Sequence, residues 1–250
     1  LSLLLNILAL LRLIAVFGLM SIFITIYLLT TFFIPHSKDR ALRLREMFLT
    51  YVGIPLLNIK IEKSGYPEIT PALYVSNHRS FTDPVVICRY LKAFVIGKAE
   101  VAGYPIISKG AELTGVIWVD RDSKASRTDT RSKMIEVLKS GYNILVYPEG
   151  TVGTHRHTLP FRKGTFMEAA ANNIPVVPIA IEYDSPKDLW IKEKFVPQYF
   201  YQFSKWRTNV KVRFGTPLFS DNGDELHQKA HDWINEQLTD MQENWANHFK

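Results

Sequence analysis

The chain has one cysteine in 250 residues, so no intramolecular disulfide can form. Cys88 sits in the apolar run Val85-Val86-Ile87-Cys88 and reads as a core residue rather than a nucleophile. There is no Gly-x-Ser-x-Gly elbow, no Walker-type glycine loop and no dinucleotide fingerprint. Serine-esterase chemistry of the elbow type and the common nucleotide-binding folds therefore lack their signatures. No internal repeat and no low-complexity linker interrupts the chain. His155-Arg156-His157 has no cysteine or carboxylate cluster beside it, so a solvent-exposed loop is expected there and no metal. Nothing resembles a nucleic-acid recognition motif either, although the net charge is +6. At this length the chain forms one large domain, or a domain plus an anchor.

What the chain does have is one long hydrophobic run. Residues 13–34 contain no charged side chain, and as a helix they would extend about 33 Å, enough for a bilayer core. The apolar character reaches back to Leu1, broken by Asn6 and Arg12, so the segment either spans once or lies partly embedded. The chain opens on Leu1 rather than Met, and the true N-terminus is expected upstream. After Pro35 come Lys38, Arg40, Arg43 and Arg45, which under the positive-inside rule put the globular part on the cytoplasmic face. Ala41, Leu44, Phe48 and Val52 recur at helical spacing, giving an amphipathic segment for the membrane surface or for packing on the domain. The excess of positive charge fits an anionic membrane surface or a phosphorylated substrate.

From about residue 70, short apolar runs alternate with helical stretches, the pattern of an α/β domain. Strands are expected at 73–75, 94–96, 116–119, 144–147, 176–181 and 210–214, and helices at 132–139, 166–171 and 224 to about 249. The expected fold is a mixed, largely parallel sheet flanked by helices. The expected division is a membrane-anchoring and amphipathic helical region over residues 1–64 and an α/β domain over 65–250. Trp190, Phe195, Tyr199, Phe200, Tyr201, Phe203 and Trp206, interleaved with Lys192, Lys194, Lys205 and Arg207, suit either a second membrane-interface patch or the core.

The chemistry concentrates in Asn77-His78-Arg79-Ser80-Phe81-Thr82-Asp83. Neutral imidazole takes a proton near pH 7, and a carboxylate on its far nitrogen fixes the tautomer and stabilises the imidazolium. In a plain helix, five residues would set the two side chains about 140° apart, so their pairing requires a turn. The alternative is that Asp83 caps a helix whose first position is Pro84, and His78 merely satisfies a loop. Three further segments end strands where an α/β sheet gathers its loops: Gly115 to Arg121, Tyr147 to Thr151, and Ile174 to Ile179. Arg121 is placed either to grip a phosphate or to pair with Asp120 or Asp122. Glu149 is either a turn carboxylate or a ligand for substrate polar groups.

These blocks, in this order, resemble the glycerolipid acyltransferase family that includes lysophosphatidate acyltransferases. Asn77-His78 to Asp83 is similar to its Asn-His-x4-Asp block, Gly115 through Arg121 to its second, Pro148-Glu149-Gly150-Thr151 to its third and Val177-Pro178-Ile179 to its fourth. The resemblance implies transfer of a fatty acyl group from acyl-CoA or acyl carrier protein to the hydroxyl of a membrane lysolipid, lysophosphatidate first, with no other cofactor. It implies His78 as base with Asp83 orienting it. Asn77, Lys98, Arg121, Glu149, Gly150 and Thr151 would bind substrate, Gly150 by letting the backbone come close. One departure stands out: the family's third block continues with arginine, and this chain has Val152. Arg156 or Arg162-Lys163 is the expected replacement, or else the acceptor is another lysolipid, such as a lyso-aminolipid.

Overall fold

The computed structural model describes residues 2–103, 105–120, 122–243 and 245, with the side chains of 100, 101 and 105–107 outside that description. The chain starts with helix α1 (Ser2–Thr30) and turns into α2 (Lys38–Phe48), whose start is capped by Ser37 accepting from the backbone of Arg40. A π turn at Leu49–Gly53 leads to a last helical turn, α3 (Ile54–Leu56), and then to β1 (Ile59–Ser64). The rest alternates: β2 (Leu73–Ser76), α4 (Asp83–Ile87), β3 (Ala93–Lys98), α5 (Pro105–Leu113), β4 (Val116–Val119), α6 (Lys124–Lys139) and β5 (Asn143–Val146). Then follow α7 (Gly164–Ala171), β6 (Val176–Tyr183), α8 (Phe195–Phe203), β7 (Thr208–Phe214) and α9 (Gly223–Glu243).

Among the described residues, seven strands form one sheet in the order β1-β7-β6-β2-β5-β3-β4. Only β6 and β7 run antiparallel; every other pair is parallel. Central strands buried on both faces need no polar alternation, and Leu73-Tyr74-Val75 on β2 and Ile144-Leu145-Val146 on β5 have none. Their side chains divide between two cores. Tyr74 and Leu145 join a layer with Ile54, Val86 and Phe203, under α1, α3, α4 and α8. Leu73, Val75, Ile144 and Val146 join the opposite layer with Met134, Phe166, Leu226 and Ile234, under α6, α7 and α9.

β1 was not expected. Ile59-Lys60-Ile61-Glu62-Lys63 alternates apolar and charged residues as an edge strand should, yet it precedes the boundary drawn at residue 65; the sheet begins at Ile59. Helix α6 starts at Lys124, well before the expected residue 132, with Ser123 capping the backbone of Ser126; its mostly polar first turns carry no apolar periodicity to mark them. Helix α8 is also new, and it settles the aromatic cluster unevenly. Tyr199 and Phe203 are core, while Val196 and Trp206 are exposed.

Helix α1 is about 43 Å long at 1.5 Å per residue. Ala9, Leu13, Val16, Met20, Phe23 and Tyr27 repeat at helical spacing along the side that faces the domain. Arg12 donates from Nη1 to the Lys205 carbonyl (2.8 Å) and from Nη2 to that of Trp206 (2.7 Å), and Tyr199 donates to the Ala9 carbonyl (3.1 Å). Phe23 packs edge-on against Phe48, and Tyr27 bonds His36 Nδ1 at 2.8 Å. The helix is therefore docked from its first turns to its last. Its other side presents Leu4, Ile7, Leu11, Ile14, Ile22, Ile26 and Leu29 outward.

Candidate active site

β2 delivers Ser76 to the carboxyl edge of the sheet, and the next seven residues fold back on themselves. The turn closes through Asp83 N–H donating to the Ser80 carbonyl at 3.1 Å. That turn supplies the reversal a helix would not. It brings Asp83 Oδ2 to 2.7 Å from His78 Nδ1. The same oxygen accepts the backbone N–H of Arg79 (2.6 Å) and of Ser80 (2.9 Å), while Oδ1 accepts the Tyr183 hydroxyl at 2.7 Å. Thr82, not Asp83, is the cap position of α4, and Asp83 is its first residue. Its carboxylate serves the loop behind it rather than the helix ahead.

Asp83 is fully buried, whereas the His78 side chain keeps 16% of its surface open. Substrate can thus meet only the imidazole. Its ring stacks on Tyr147, centroids 4.2 Å apart and planes 21° apart. Burial first, and then the negative charge of Asp83, hold the phenols of Tyr147 and Tyr183 well above their ordinary value. Tyr183 therefore stays protonated and donates. With Nδ1 engaged by the carboxylate, Nε2 is the nitrogen left to exchange a proton.

The remaining expected residues divide sharply. Asn77 is turned inward: Nδ2 donates to the Ile181 carbonyl and Oδ1 accepts the Ile181 N–H, both at 2.9 Å. Its amide continues the β2–β6 pairing past the end of β2. Glu149 is buried, and its two oxygens accept the N–H of His78 (2.7 Å) and of Leu159 (2.8 Å). Burial raises its pKa, and the two backbone hydrogen bonds work against that rise. Gly150 adopts φ +73°, the left-handed region that favours glycine, and turns the chain after Glu149. Thr151 is exposed just beyond it, and Lys98 is exposed at the carboxyl end of β3. Arg121 lies outside the described residues.

Sequence reasoning missed Arg79 and Tyr183. Arg79 is buried and pairs with Glu182 at 3.0 Å; it also donates to the carbonyls of Gly153 (3.1 Å), His155 (2.5 Å) and Arg156 (3.0 Å). The loop after Glu149 is thereby clamped over the histidine loop, which Gly153 N–H reinforces by donating to the His78 carbonyl at 2.7 Å. Its place between His78 and Asp83 was the available signal; its partner, 103 residues away, left none.

The profile of the family described as Acyltransferase matches residues 58–182, half of the chain, from β1 through most of β6. The chain belongs to the acyltransferase family. It is 36% identical over 113 residues to the chloroplastic 1-acyl-sn-glycerol-3-phosphate acyltransferase of Arabidopsis thaliana, covering 45% of this chain and 32% of that protein. It is 27% identical over 139 residues to the 1-acyl-sn-glycerol-3-phosphate acyltransferase of Escherichia coli strain K12 (53% and 57%). It is also 27% identical over 171 residues to the lyso-ornithine lipid O-acyltransferase of Brucella abortus (61% and 64%). The chain thus spans about a third of the plant relative and somewhat over half of these bacterial ones. The crystal structure of the acyltransferase PlsC from Thermotoga maritima superposes with a TM-score of 0.75 over 98% of both chains at 19% identity. At that identity the likeness is one of fold: a mostly parallel sheet flanked by helices, with an N-terminal apolar helix.

Proposed function

We propose that this acyltransferase-family protein moves a fatty acyl group from a thioester, on coenzyme A or acyl carrier protein, to the free hydroxyl of a lysolipid. The carrying observation is the buried Asp83 holding His78 by Nδ1 while no bond to Nε2 forms among the described residues. Among the described residues no serine, threonine or cysteine hydrogen-bonds to that ring, so the proton it takes comes from the acceptor. A thioester is already activated and needs no covalent serine.

His78 Nε2 removes the hydroxyl proton as the oxygen attacks the thioester carbonyl. Asp83, through Nδ1–H, stabilises the imidazolium that results. When the tetrahedral intermediate collapses, the C–S bond breaks and the imidazolium returns its proton to the departing thiolate. The lysolipid ester and the free thiol leave together with a neutral histidine.

Lysophosphatidate is the first-choice acceptor, in keeping with the names of the plant and Escherichia coli relatives. A lyso-aminolipid is the second reading, favoured by the long match to the lyso-ornithine lipid enzyme and by apolar Val152 after Thr151. The outward apolar side of α1 supports attachment to a bilayer, and its docking along nearly its whole length favours lying in one leaflet over crossing. The basic residues after Pro35 support a cytoplasmic catalytic face. Arg40 and Arg45 argue for it least, since they donate to backbone carbonyls of Ile34 and Pro35 and of Ala93 and Thr114.

Purified protein supplied with acyl-CoA and a panel of lysolipids tests this reading. His78→Ala is expected to lower transfer about 10²- to 10⁴-fold without unfolding the protein. Undiminished transfer by the variant would refute the base assignment, and no transfer by the parent to any lysolipid would refute the activity.

A further inference from the structure

Helix α8 lies beyond the matched span of residues 58–182, yet it buries two glutamines, Gln198 and Gln202, beside Tyr199 and Phe203. Four residues apart, they stand one above the other on the same face. A buried amide costs free energy unless its donors and its acceptor are met. Gln198 meets its own nearby: Oε1 accepts the N–H of Ile191 and of Lys192, and Nε2 donates to the Leu189 carbonyl, all at 3.0 Å. Gln202 reaches instead across 120 residues, into the loop between His78 and Asp83. Its Oε1 accepts the Ser80 hydroxyl and its Nε2 donates to Thr82 Oγ1, both at 3.2 Å.

Thr82 carries the contact onward. Tyr183 spends its one hydroxyl proton on Asp83 Oδ1 at 2.7 Å, so across the 2.9 Å contact between Thr82 Oγ1 and the Tyr183 oxygen it is Thr82 that donates. Ser80 Oγ, 3.0 Å from Thr82, competes for the same proton, and Gln202 Oε1 engages Ser80 from its other side. The amide is held in this orientation from behind. Buried Asp188 takes donors from Lys205, from Thr208 (3.2 Å) and from the Gln202 amide. A carboxylate only accepts, so the NH2 of Gln202 faces Asp188 and Thr82 while its oxygen faces Ser80. The line of contacts thus runs from Asp188 through Gln202, Thr82 and Tyr183 to Asp83, and hydrogen bonds in series polarise one another. The Thr82 hydroxyl is free for this task because it makes no capping bond to α4.

We infer that Gln202 is a positioning residue for the His78–Asp83 pair: from α8, through Thr82 and Tyr183, it fixes the carboxylate that orients the imidazole. The inference rests on the acyl-transfer reading for what that imidazole does, while the hydrogen-bond line stands apart from it. Gln202 is fully buried and touches no substrate, so its work shows in kcat and not in substrate binding.

The test uses the full chain in detergent. Gln202→Met keeps the length and the helix propensity of the side chain, and Thr82→Val keeps its shape while removing the middle hydroxyl. Each is expected to lower kcat about 3- to 10-fold with the KM for acyl-CoA and for lysolipid unchanged. In the double variant Gln202→Met is expected to lower kcat no further, because the link it acts through is already gone. Additive losses, or an unchanged kcat in the folded single variants, would overturn the assignment. Gln202→Glu, equal in shape but unable as a carboxylate to donate to Thr82, gives the same reading if the methionine variant does not fold. Proton NMR of His78 Nδ1–H, identified by its loss in His78→Ala, separates this inference from the functional one. That resonance is expected to shift in Gln202→Met and in Thr82→Val, and no further in the double variant. A parent that transfers no acyl group while the resonance shifts in this way refutes the reaction and supports the positioning role. A resonance unmoved in both single variants overturns the role whatever the activity.

Discussion

Glu149→Gln separates a strut from a substrate ligand at the cost of one atom. Both Glu149 oxygens accept backbone N–H groups, from His78 at 2.7 Å and from Leu159 at 2.8 Å, so the carboxylate ties the histidine loop to the loop that closes over it. Glutamine has the same shape but only one accepting oxygen. Its NH2 would face a second N–H, donor against donor. A hydrogen bond to a charged group contributes about 1.5–3 kcal/mol, and a buried N–H left unpaired costs about 1–3 kcal/mol. Removing a charge whose burial has already raised the pKa offsets part of that loss. A net destabilisation of about 1–3 kcal/mol follows, measured by denaturant unfolding. Because the loosened partner includes His78, kcat is expected to fall more than KM rises.

The pH dependence has a definite sign. Glu149 titrates higher in the folded chain than the ordinary value of 4.5, so the folded state binds the proton more tightly than the unfolded one. The stability this carboxyl contributes is complete below pH 4.5 and is lost as pH rises through the raised value. Glutamine does not titrate, so the stability gap between parent and variant should be largest at the acid end and narrow upward. A variant with unchanged unfolding, a flat gap and a purely KM-based defect would refute the strut and make Glu149 a substrate ligand.

Three other substitutions probe the same architecture. Arg79→Met leaves Glu182 as a buried charge without its guanidinium and strips donors from the carbonyls of Gly153, His155 and Arg156; a loss of about 3–5 kcal/mol in unfolding free energy is expected. Tyr183→Phe removes the hydroxyl that bonds Asp83 Oδ1 and Thr82, and should cost about 1–2 kcal/mol in thermal or denaturant unfolding while lowering kcat and leaving acceptor KM unchanged. Arg12→Met takes the donors from the carbonyls of Lys205 and Trp206, so hydrogen exchange in residues 203–207 should accelerate while His78 chemistry, assayed on dispersed substrate, persists.

Much of this molecule was legible in the chain. The apolar runs of β2, β3, β5 and β6 announced a doubly covered sheet, because a strand buried on both faces has no polar side to show. The pairing of His78 with Asp83 was legible too, since both lie within one loop seven residues long. The edge strand β1 and the first turns of α6 were harder to see, because solvent-facing elements carry polar residues that mimic loops. By itself the sequence also determined that an uncharged hydrophobic segment had to be covered by something. Only the tertiary structure decided that one stripe of α1 is covered by the domain while its other side stays open. It likewise decided the working positions of Asn77, Glu149, Arg79 and Tyr183. Their partners lie between 10 and 104 residues away, and such contacts exist only once the sheet has brought distant strand ends together.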